Sequence, residues 1–392
     1  MELSKEYQLW QACTEGDLEL VLNLSKDPTV NVNWVGPDKN DAPIHRSCRF
    51  NHLEIFKELL GNPRVDVRQE NVFGGTPMTI SCFTGDTEMV SILLRDLRVD
   101  PNKPASEGAT PLYFAAQEGH TAVAALLLSD PRVDPGQSTN EGSNPLFMSS
   151  QEGHLDVVKL LLSDLRVDPN QGKDSGATPF NIACENGHLD EVTWMLDDPR
   201  IDPNRTDNEF CTPLWFASQN GHLAVVQHLL ASDWVIDTKS VSTFNNTTAA
   251  QHGRKMKWLP KLPNDSEEVH RRKSVFGPIV ADLVDEYEKD PVGVRTRLRG
   301  LPGGVQHFFI GHLFAIVVFF TDGFLLPKNT VPATTPSPIE RFLRISSRLP
   351  LELQMVLCNR TFCSPRNVVR SREAEPGFKW LARPTTWLRF QQ

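Results

Sequence analysis

A proline recurs every 34 residues through the first half of the chain, and this spacing restricts the fold more than any other feature. It stands at Pro43, Pro77, Pro111, Pro145, Pro179 and Pro213, and a threonine precedes it in four of the six copies. Eight residues after each proline comes a glycine, or Asn51 in the first copy, and in five copies a histidine follows. A spacing held six times predicts a tandem repeat whose units fold alike and pack on their neighbours.

Each unit is predicted to be a pair of short antiparallel helices followed by an extended loop. A threonine side chain can accept hydrogen bonds from the free backbone N–H groups at a helix start, and proline suits the first turn. Glycine ends a helix in the left-handed conformation at little cost, and asparagine tolerates that conformation next best. Apolar residues in the second helix recur at helical spacing, as at Val158, Leu161 and Leu162, so stacking is needed to bury them.

Two segments show the repeat most clearly. They are Thr110–His120, which reads TPLYFAAQEGH, and Thr212–His222, which reads TPLWFASQNGH, and both resemble the ankyrin repeat. The resemblance extends over about residues 4–238 and implies an all-α ankyrin-repeat solenoid with a period of 34 residues. A degenerate unit around Gly16 is expected to cap its N-terminal end, so we place the repeat domain at residues 1–240.

The remaining third of the chain is expected to be a smaller helical region. Residues 241–275 are polar and predict a linker, and residues 276–330 predict helices, including a buried apolar helix at 308–326. An amphipathic helix is expected to have Ile279, Leu283 and Tyr287 on one face.

A second linker is predicted at residues 331–338, and a basic helical segment is predicted at 339–392. This last segment contains ten Lys and Arg against four Asp and Glu, a net charge of +6. The combination of the repeats with the segments Leu313–Phe324 and Arg348–Cys358 resembles the architecture of uncharacterised basidiomycete (fungal) ankyrin-repeat proteins.

Composition excludes several functions. The formal net charge of −9 argues against general nucleic-acid binding, which needs a basic face. We find no phosphate-binding glycine loop and no catalytic motif, so we expect no enzyme, no cofactor and no small-molecule substrate. The repeated histidines are one unit apart, too far to share a metal ion, and Cys358 and Cys363 have no partner pair nearby.

The expected location of the protein is the cytoplasm or the nucleus. Seven scattered cysteines, an odd number, suit a reducing compartment better than a disulfide framework. The polar start of the chain has no apolar segment typical of a signal peptide.

The first helices and the loop tips line a concave face in ankyrin proteins, so the resemblance implies a surface for a protein partner. Its expected residues are the third helical residue and the two residues before the glycine in four units. They are Tyr113, Gln117, Glu118, Phe147, Gln151, Glu152, Asn181, Glu185, Asn186, Trp215, Gln219 and Asn220. The amides and acids favour a polar or basic partner segment. The aromatic residues either contact the partner or pack between hairpins.

Two alternative functions involve the C-terminal third. Leu349–Leu353 resembles the opening of an F-box, the module that docks on a ubiquitin-ligase adaptor, which implies a substrate receptor. Residues 308–326 have the length of a membrane span, for which about 20 apolar residues are needed. His312 and Asp322 interrupt that segment, which favours a helix buried in protein over a membrane tether.

Overall fold

The computed structural model describes residues 3–256 and 266–299, and in these residues the fold is a stack of helical hairpins. The first helices of the seven pairs are α1 (Lys5–Glu15), α3 (Pro43–Arg49), α5 (Pro77–Thr84), α7 (Pro111–Gln117), α9 (Pro145–Glu152), α11 (Pro179–Asn186) and α13 (Pro213–Gln219). The second helices are α2 (Leu18–Lys26), α4 (Leu53–Gly61), α6 (Thr87–Arg95), α8 (Thr121–Ser129), α10 (Leu155–Ser163), α12 (Leu189–Leu196) and α14 (Leu223–Ala231). The predicted all-α solenoid is confirmed.

Every repeated proline is the first residue of a helix, as the sequence predicts. The threonine before it caps that helix, and at Thr110 the hydroxyl accepts a hydrogen bond from the N–H of Tyr113 at 3.2 Å. Asn144 makes the same contact in its unit, at 2.7 Å from the N–H of Phe147. A cap of this kind stabilises a helix by about 1 kcal/mol, so the Thr-Pro pairs set the register of the hairpins.

The two helices of each unit form separate layers around a continuous core. The first helices of successive units pack more extensively on one another than the second helices do. A layer whose members lie closer together is on the inner side of a curved stack. Large apolar side chains between the layers, among them Phe56, Leu127 and Phe180, are fully buried, which stabilises each hairpin only in the presence of its neighbours.

An arginine in the loop of the second to the sixth unit binds the preceding unit, and Trp234 makes the equivalent contact in the seventh. Arg132 Nη2 donates to the carbonyl oxygen of Leu94 at 2.6 Å and to Asp130 Oδ2 at 2.7 Å. Leu94 lies in the last turn of α6, where unpaired carbonyl groups carry partial negative charge. The same contact recurs in the neighbouring units at Arg98, Arg166 and Arg200. The conserved spacing of the loop therefore serves contacts between units.

The stack continues past residue 240, so residues 241–256 of the predicted polar linker form part of the stack, whereas residues 257–265 lie outside the described residues. The N–H of Thr243 donates to the carbonyl oxygen of Glu209 at 2.9 Å, and Ser242 pairs with Thr247. Helix α15 (Ala249–Met256) then packs on α13 as a further first helix. Gln251, Arg254 and Lys255 face solvent, whereas His252 is buried, and small residues at the contact allow close packing without a conspicuous apolar pattern.

Two more helices cover the end of the stack. They are α16 (Glu267–Lys289) and α17 (Pro291–Arg299). Arg299 Nε donates to the carbonyl oxygen of Ala231 at 2.9 Å, and Arg295 Nη2 donates to that of Trp234 at 2.7 Å. The arginines of α17 thus donate hydrogen bonds to carbonyl groups at and just after the C-terminal end of α14. The loop arginines make equivalent contacts with the ends of earlier second helices.

The buried face of α16 differs from the predicted one. Leu283 and Tyr287 are buried as expected, but Ile279 is 46% exposed. Val280 and Val284 are fully buried instead, because the helix rotates the neighbouring residues toward α14 and α15. The helical spacing of apolar residues predicts that one face is buried, but the positions of the partner helices decide which face that is.

The segments at 308–326, 331–338 and 339–392, including the F-box-like Leu349–Leu353, lie outside the described residues. Within residues 3–256 and 266–299, no helix combines the length and the apolar character that crossing a membrane requires.

Candidate binding surface

The loop tips of successive units lie side by side along the first helices. The N–H of Asn140 donates to the carbonyl oxygen of Glu107 at 2.7 Å, and the N–H of Asp174 donates to that of Glu141 at 2.9 Å. Each tip is thereby fixed on the tip before it. The side chains of Glu107 and Glu141 are exposed on this row.

Carboxylates from three consecutive units surround Tyr113 in α7. Its half-buried position raises the pKa of the phenol first through burial, and then through the charges of Glu141, Glu152 and Glu107. The nearby Ser143 hydroxyl lowers this pKa and acts in the opposite direction. The hydroxyl therefore stays protonated at neutral pH and can donate a hydrogen bond. We call Glu107, Glu118, Glu141 and Glu152, with Tyr113 between them, the acidic groove.

Negative charge is partly offset toward the C-terminal end of this surface. The pKa of Glu185 is raised by burial and then by Asp207, whereas Lys273 and Lys173 lower it. Lys173 Nζ also lies 3.8 Å from Glu141 Oε2 and 5.6 Å from the ring centroid of Phe147. Among the groove carboxylates, Glu107, Glu118 and Glu152 form no ion pair within the described residues, so negative charge along α7 and α9 is left uncompensated at these positions.

Three of the residues expected on the surface are buried instead. Phe147 and Trp215 are 3% exposed, and Asn181 is fully buried. The Thr178 hydroxyl donates to Asn181 Oδ1 at 2.7 Å, and the Trp215 ring lies 4.8 Å from the ring of His252 in α15. Burial makes these three side chains unavailable to a partner. Tyr113, at the same position, is half-buried.

The residues before the glycines remain at the surface. Glu118, Glu152 and Asn186 are exposed, whereas Gln117, Gln151, Glu185, Gln219 and Asn220 are half-buried. The last two lie beside the C-terminal cap, because Arg272 Nε of α16 donates to the carbonyl oxygen of Asn220 at 2.9 Å. The accessible stripe therefore runs along α7, α9 and α11.

An apolar patch adjoins the acidic groove at its N-terminal side, formed by Phe50, Val72, Phe73 and Phe83. Their exposed fractions are 43%, 55%, 57% and 42%. Val72 and Phe73 were not among the expected contact residues. Phe73 occupies the loop-tip position that is glutamate at Glu107 and Glu141, so an apolar residue at a polar register is the signal that could have identified it.

Two of the three aromatic rings of the patch, those of Phe50 and Phe83, pack on side chains beneath them. The guanidinium carbon of the buried Arg46 lies 4.6 Å from the ring centroid of Phe50 and 4.3 Å from that of Trp10. Phe83 packs edge-on against Phe114, with 6.2 Å between the ring centroids. Rings fixed in this way lose little conformational entropy when a partner covers them.

The described residues supply no group suited to metal or thiolate chemistry. No cluster of three or more His, Cys, Asp and Glu side chains that could hold a metal ion occurs in residues 3–256 and 266–299. All five cysteines of this part are buried. Burial raises the pKa of Cys48 to about 12 and that of Cys211 to about 11, so these thiols stay protonated.

Comparison with known proteins identifies the repeat. The family model described as ankyrin repeats (3 copies) matches residues 9–105, 44–136, 97–172 and 165–242. Among solved structures, the ankyrin repeat domain of Bcl-3, described as a unique member of the IkappaB protein family, is similar at 20% identity and a TM-score of 0.48. That match covers 60% of this chain and 99% of the Bcl-3 chain. No curated protein matches the chain. Because the family matches extend over residues 9–242, the chain belongs to the ankyrin-repeat family.

Proposed function

We propose that the protein is an interaction scaffold, which holds a segment of a partner protein against the acidic groove and the apolar patch and performs no chemistry itself. Ankyrin repeats typically bind proteins, and the coarse function follows from the family. The observation that supports this particular surface is the row of exposed carboxylates around Tyr113, placed next to the exposed aromatic rings of the apolar patch.

The chemistry of the surface indicates the chemistry of the partner segment. Within the described residues, Glu107 and Glu118 have no ion-pair partner, so their charges are available to a basic side chain. The phenol of Tyr113 can donate to a backbone carbonyl. Exposed apolar patches on otherwise polar surfaces are typical of protein contacts. A segment with Lys or Arg residues next to an apolar side chain would form ion pairs with the acidic groove and bury that side chain against the apolar patch.

A charge reversal with a matched control tests the proposal. The full chain, a Glu118→Lys/Glu152→Lys variant and a Glu19→Lys/Asp156→Lys variant are each used to capture proteins from cell extract, followed by quantitative mass spectrometry. The control pair is also exposed, but it lies on the second helices α2 and α10. Both variants change the net charge equally, so a nonspecific charge effect would appear in both.

We expect a set of proteins that the native chain and the control capture and that the groove variant loses. Like charges opposed across an interface cost several kcal/mol, which corresponds to a loss of more than tenfold in affinity. The same capture with all three proteins would contradict the proposal, provided that circular dichroism shows equal helix content.

A further inference from the structure

We propose that the apolar segment 308–326 of this chain packs on the exposed face of α16, in a cleft that α14, α16 and α17 form at the end of the stack. This inference concerns the C-terminal cap and is independent of the partner surface proposed above. The cleft has a volume of about 330 Å³ and is lined by Leu223 and Gln227 of α14, Ile279 and Leu283 of α16, and Leu298 of α17. A water molecule occupies about 30 Å³ of liquid, so the cleft has room for side chains.

The cleft continues along α16 as an apolar strip. Val275, Phe276 and Ile279 are 52%, 37% and 46% exposed. Residues three and four apart lie on one face of a helix, so these three side chains form one surface with the cleft-lining Leu283. The opposite face, with Val280 and Val284, is already buried against the stack. In the described residues, nothing covers the outer strip.

The position at which the described chain ends identifies the occupant. Arg297 and Leu298, near the end of α17, line the same cleft as Ile279. Helix α17 is therefore antiparallel to α16. Its last residue, Arg299, lies beside the middle of α16, and the axis of α17 points toward the N-terminal half of α16. An apolar segment begins at Phe308, after eight further residues. Residues 300–307 can span about 30 Å when extended, whereas Val275 lies only about 6 Å along the helix from Ile279.

Burial is the physical reason for this contact. Residues 308–326 are almost entirely apolar, with Asp322 and His312 as the titratable side chains. Burying an apolar side chain of this size is favourable by about 1.5–3 kcal/mol. The strip on α16 is an apolar surface within reach of the emerging chain, and the contact buries both surfaces at once. The rim of the cleft carries Asp282, Glu286 and Arg297, and Arg297 Nη2 lies 2.6 Å from Glu286 Oε2, so a formal charge of only about −1 remains.

A site-specific photo-crosslinker tests this contact in the full chain. Benzoylphenylalanine is introduced at Ile279 and, as the matched control, at Leu165, which is 88% exposed and lies in a loop of the repeat stack. After irradiation with and without phosphatidylcholine vesicles, cross-linked peptides are identified by mass spectrometry. We expect intramolecular cross-links from position 279 to residues 308–326, unchanged by vesicles, and none from position 165.

Cross-links from position 279 to a second copy of the chain, to lipid only, or to no part of 308–326 would each overturn the proposal. A second measurement tests the contact without relying on the efficiency of cross-linking from position 279. Ile279→Asp should increase chymotrypsin cleavage within 308–326 several-fold, because it places a charge in the apolar contact. Leu165→Asp should leave that cleavage unchanged. Equal cleavage in the two variants would also overturn the contact.

Discussion

Gly119 and His154 face each other across the junction between two repeats. His154 Nε2 donates to the carbonyl oxygen of Gln117 at 2.8 Å, so the histidine joins its own hairpin to the end of the preceding first helix. A Cβ atom on Gly119 would lie 2.6 Å from His154 Nδ1, and the glycine has a φ of +72°. The histidine and the glycine of adjacent units therefore depend on each other.

The exception to this pairing supports the same explanation. Asn51 stands at the glycine position of its unit with a φ of 57°, and the following unit has Asp86 where the others have histidine. A side chain at position 51 has room because no imidazole occupies the junction. Asp86 caps α6 instead, and its carboxylate accepts a hydrogen bond from the N–H of Met89 at 2.9 Å.

We expect Gly119→Ala to lower the free energy of unfolding by about 1–2 kcal/mol from the left-handed backbone alone, and further through contact with His154. Gly61→Ala is the control, because Gly61 lies in α4 and a Cβ there would meet nothing within 4 Å. That variant should be neutral or more stable by up to about 1 kcal/mol. Urea denaturation of both variants measures the difference, and equal effects would contradict this account.

Glu191 is expected to destabilise the protein, and Glu191→Val should make it more stable by on the order of 2 kcal/mol. The carboxyl is 2% exposed, and neither oxygen has a hydrogen-bond partner within the described residues. The equivalent positions of adjacent units are Val157 and Val225, so valine fits the site. Urea denaturation at pH 7.5 measures the change. A loss of stability would show that Glu191 has a favourable partner.

The pH dependence of stability provides a separate check on Glu191. Burial, and then the charge of Asp190, raise the pKa of Glu191 from 4.5 to about 8. The folded protein thus holds this proton over a range in which the unfolded chain has lost it. The proton bound by Glu191 favours the folded state fully below about pH 4.5, and this favourable effect is lost as the pH rises through about 8. Glu191 is therefore most destabilising at high pH. We expect the advantage of Glu191→Val to be larger at pH 8.5 than at pH 5. An advantage independent of pH would contradict the raised pKa.

We expect Gly253→Val to detach the C-terminal cap while leaving the central repeats folded. Gly253 in α15 and Gly277 in α16 touch backbone to backbone, and a Cβ on Gly253 would lie 2.6 Å from the carbonyl oxygen of Gly277. Hydrogen exchange should become faster in α14–α16 and remain slow in α5–α10. Val292→Ala, at a 73% exposed position of α17, is the control. Unchanged protection in α15 would indicate that the two helices do not pack closely.

We expect Phe73→Ser to weaken partner capture with little change in stability. The ring is 57% exposed, and surface substitutions usually change stability by less than about 0.5 kcal/mol. Leu97→Ser is the control, because Leu97 is 91% exposed in the loop after α6, away from the loop tips. Loss of the same proteins with both variants would argue against a role of the apolar patch.

Local sequence determined the hairpins of this protein. Threonine or asparagine before proline caps a helix, glycine ends it, and apolar spacing marks the buried face, and each of these effects acts within a few residues of its origin. The period of 34 residues, the helix starts at Pro77 and Pro111, and the surface position of Glu118 and Glu152 could therefore be predicted.

Tertiary structure alone decided which side chains the neighbouring units cover. Phe147, Asn181 and Trp215 are buried because the next hairpin and its loop pack over them, and Ile279 is exposed because α14 and α15 meet the other side of α16. The polar residues 241–256 join the stack through backbone hydrogen bonds and small-residue contacts. Burial of this kind depends on contacts between units distant in sequence, and no local pattern contains that information.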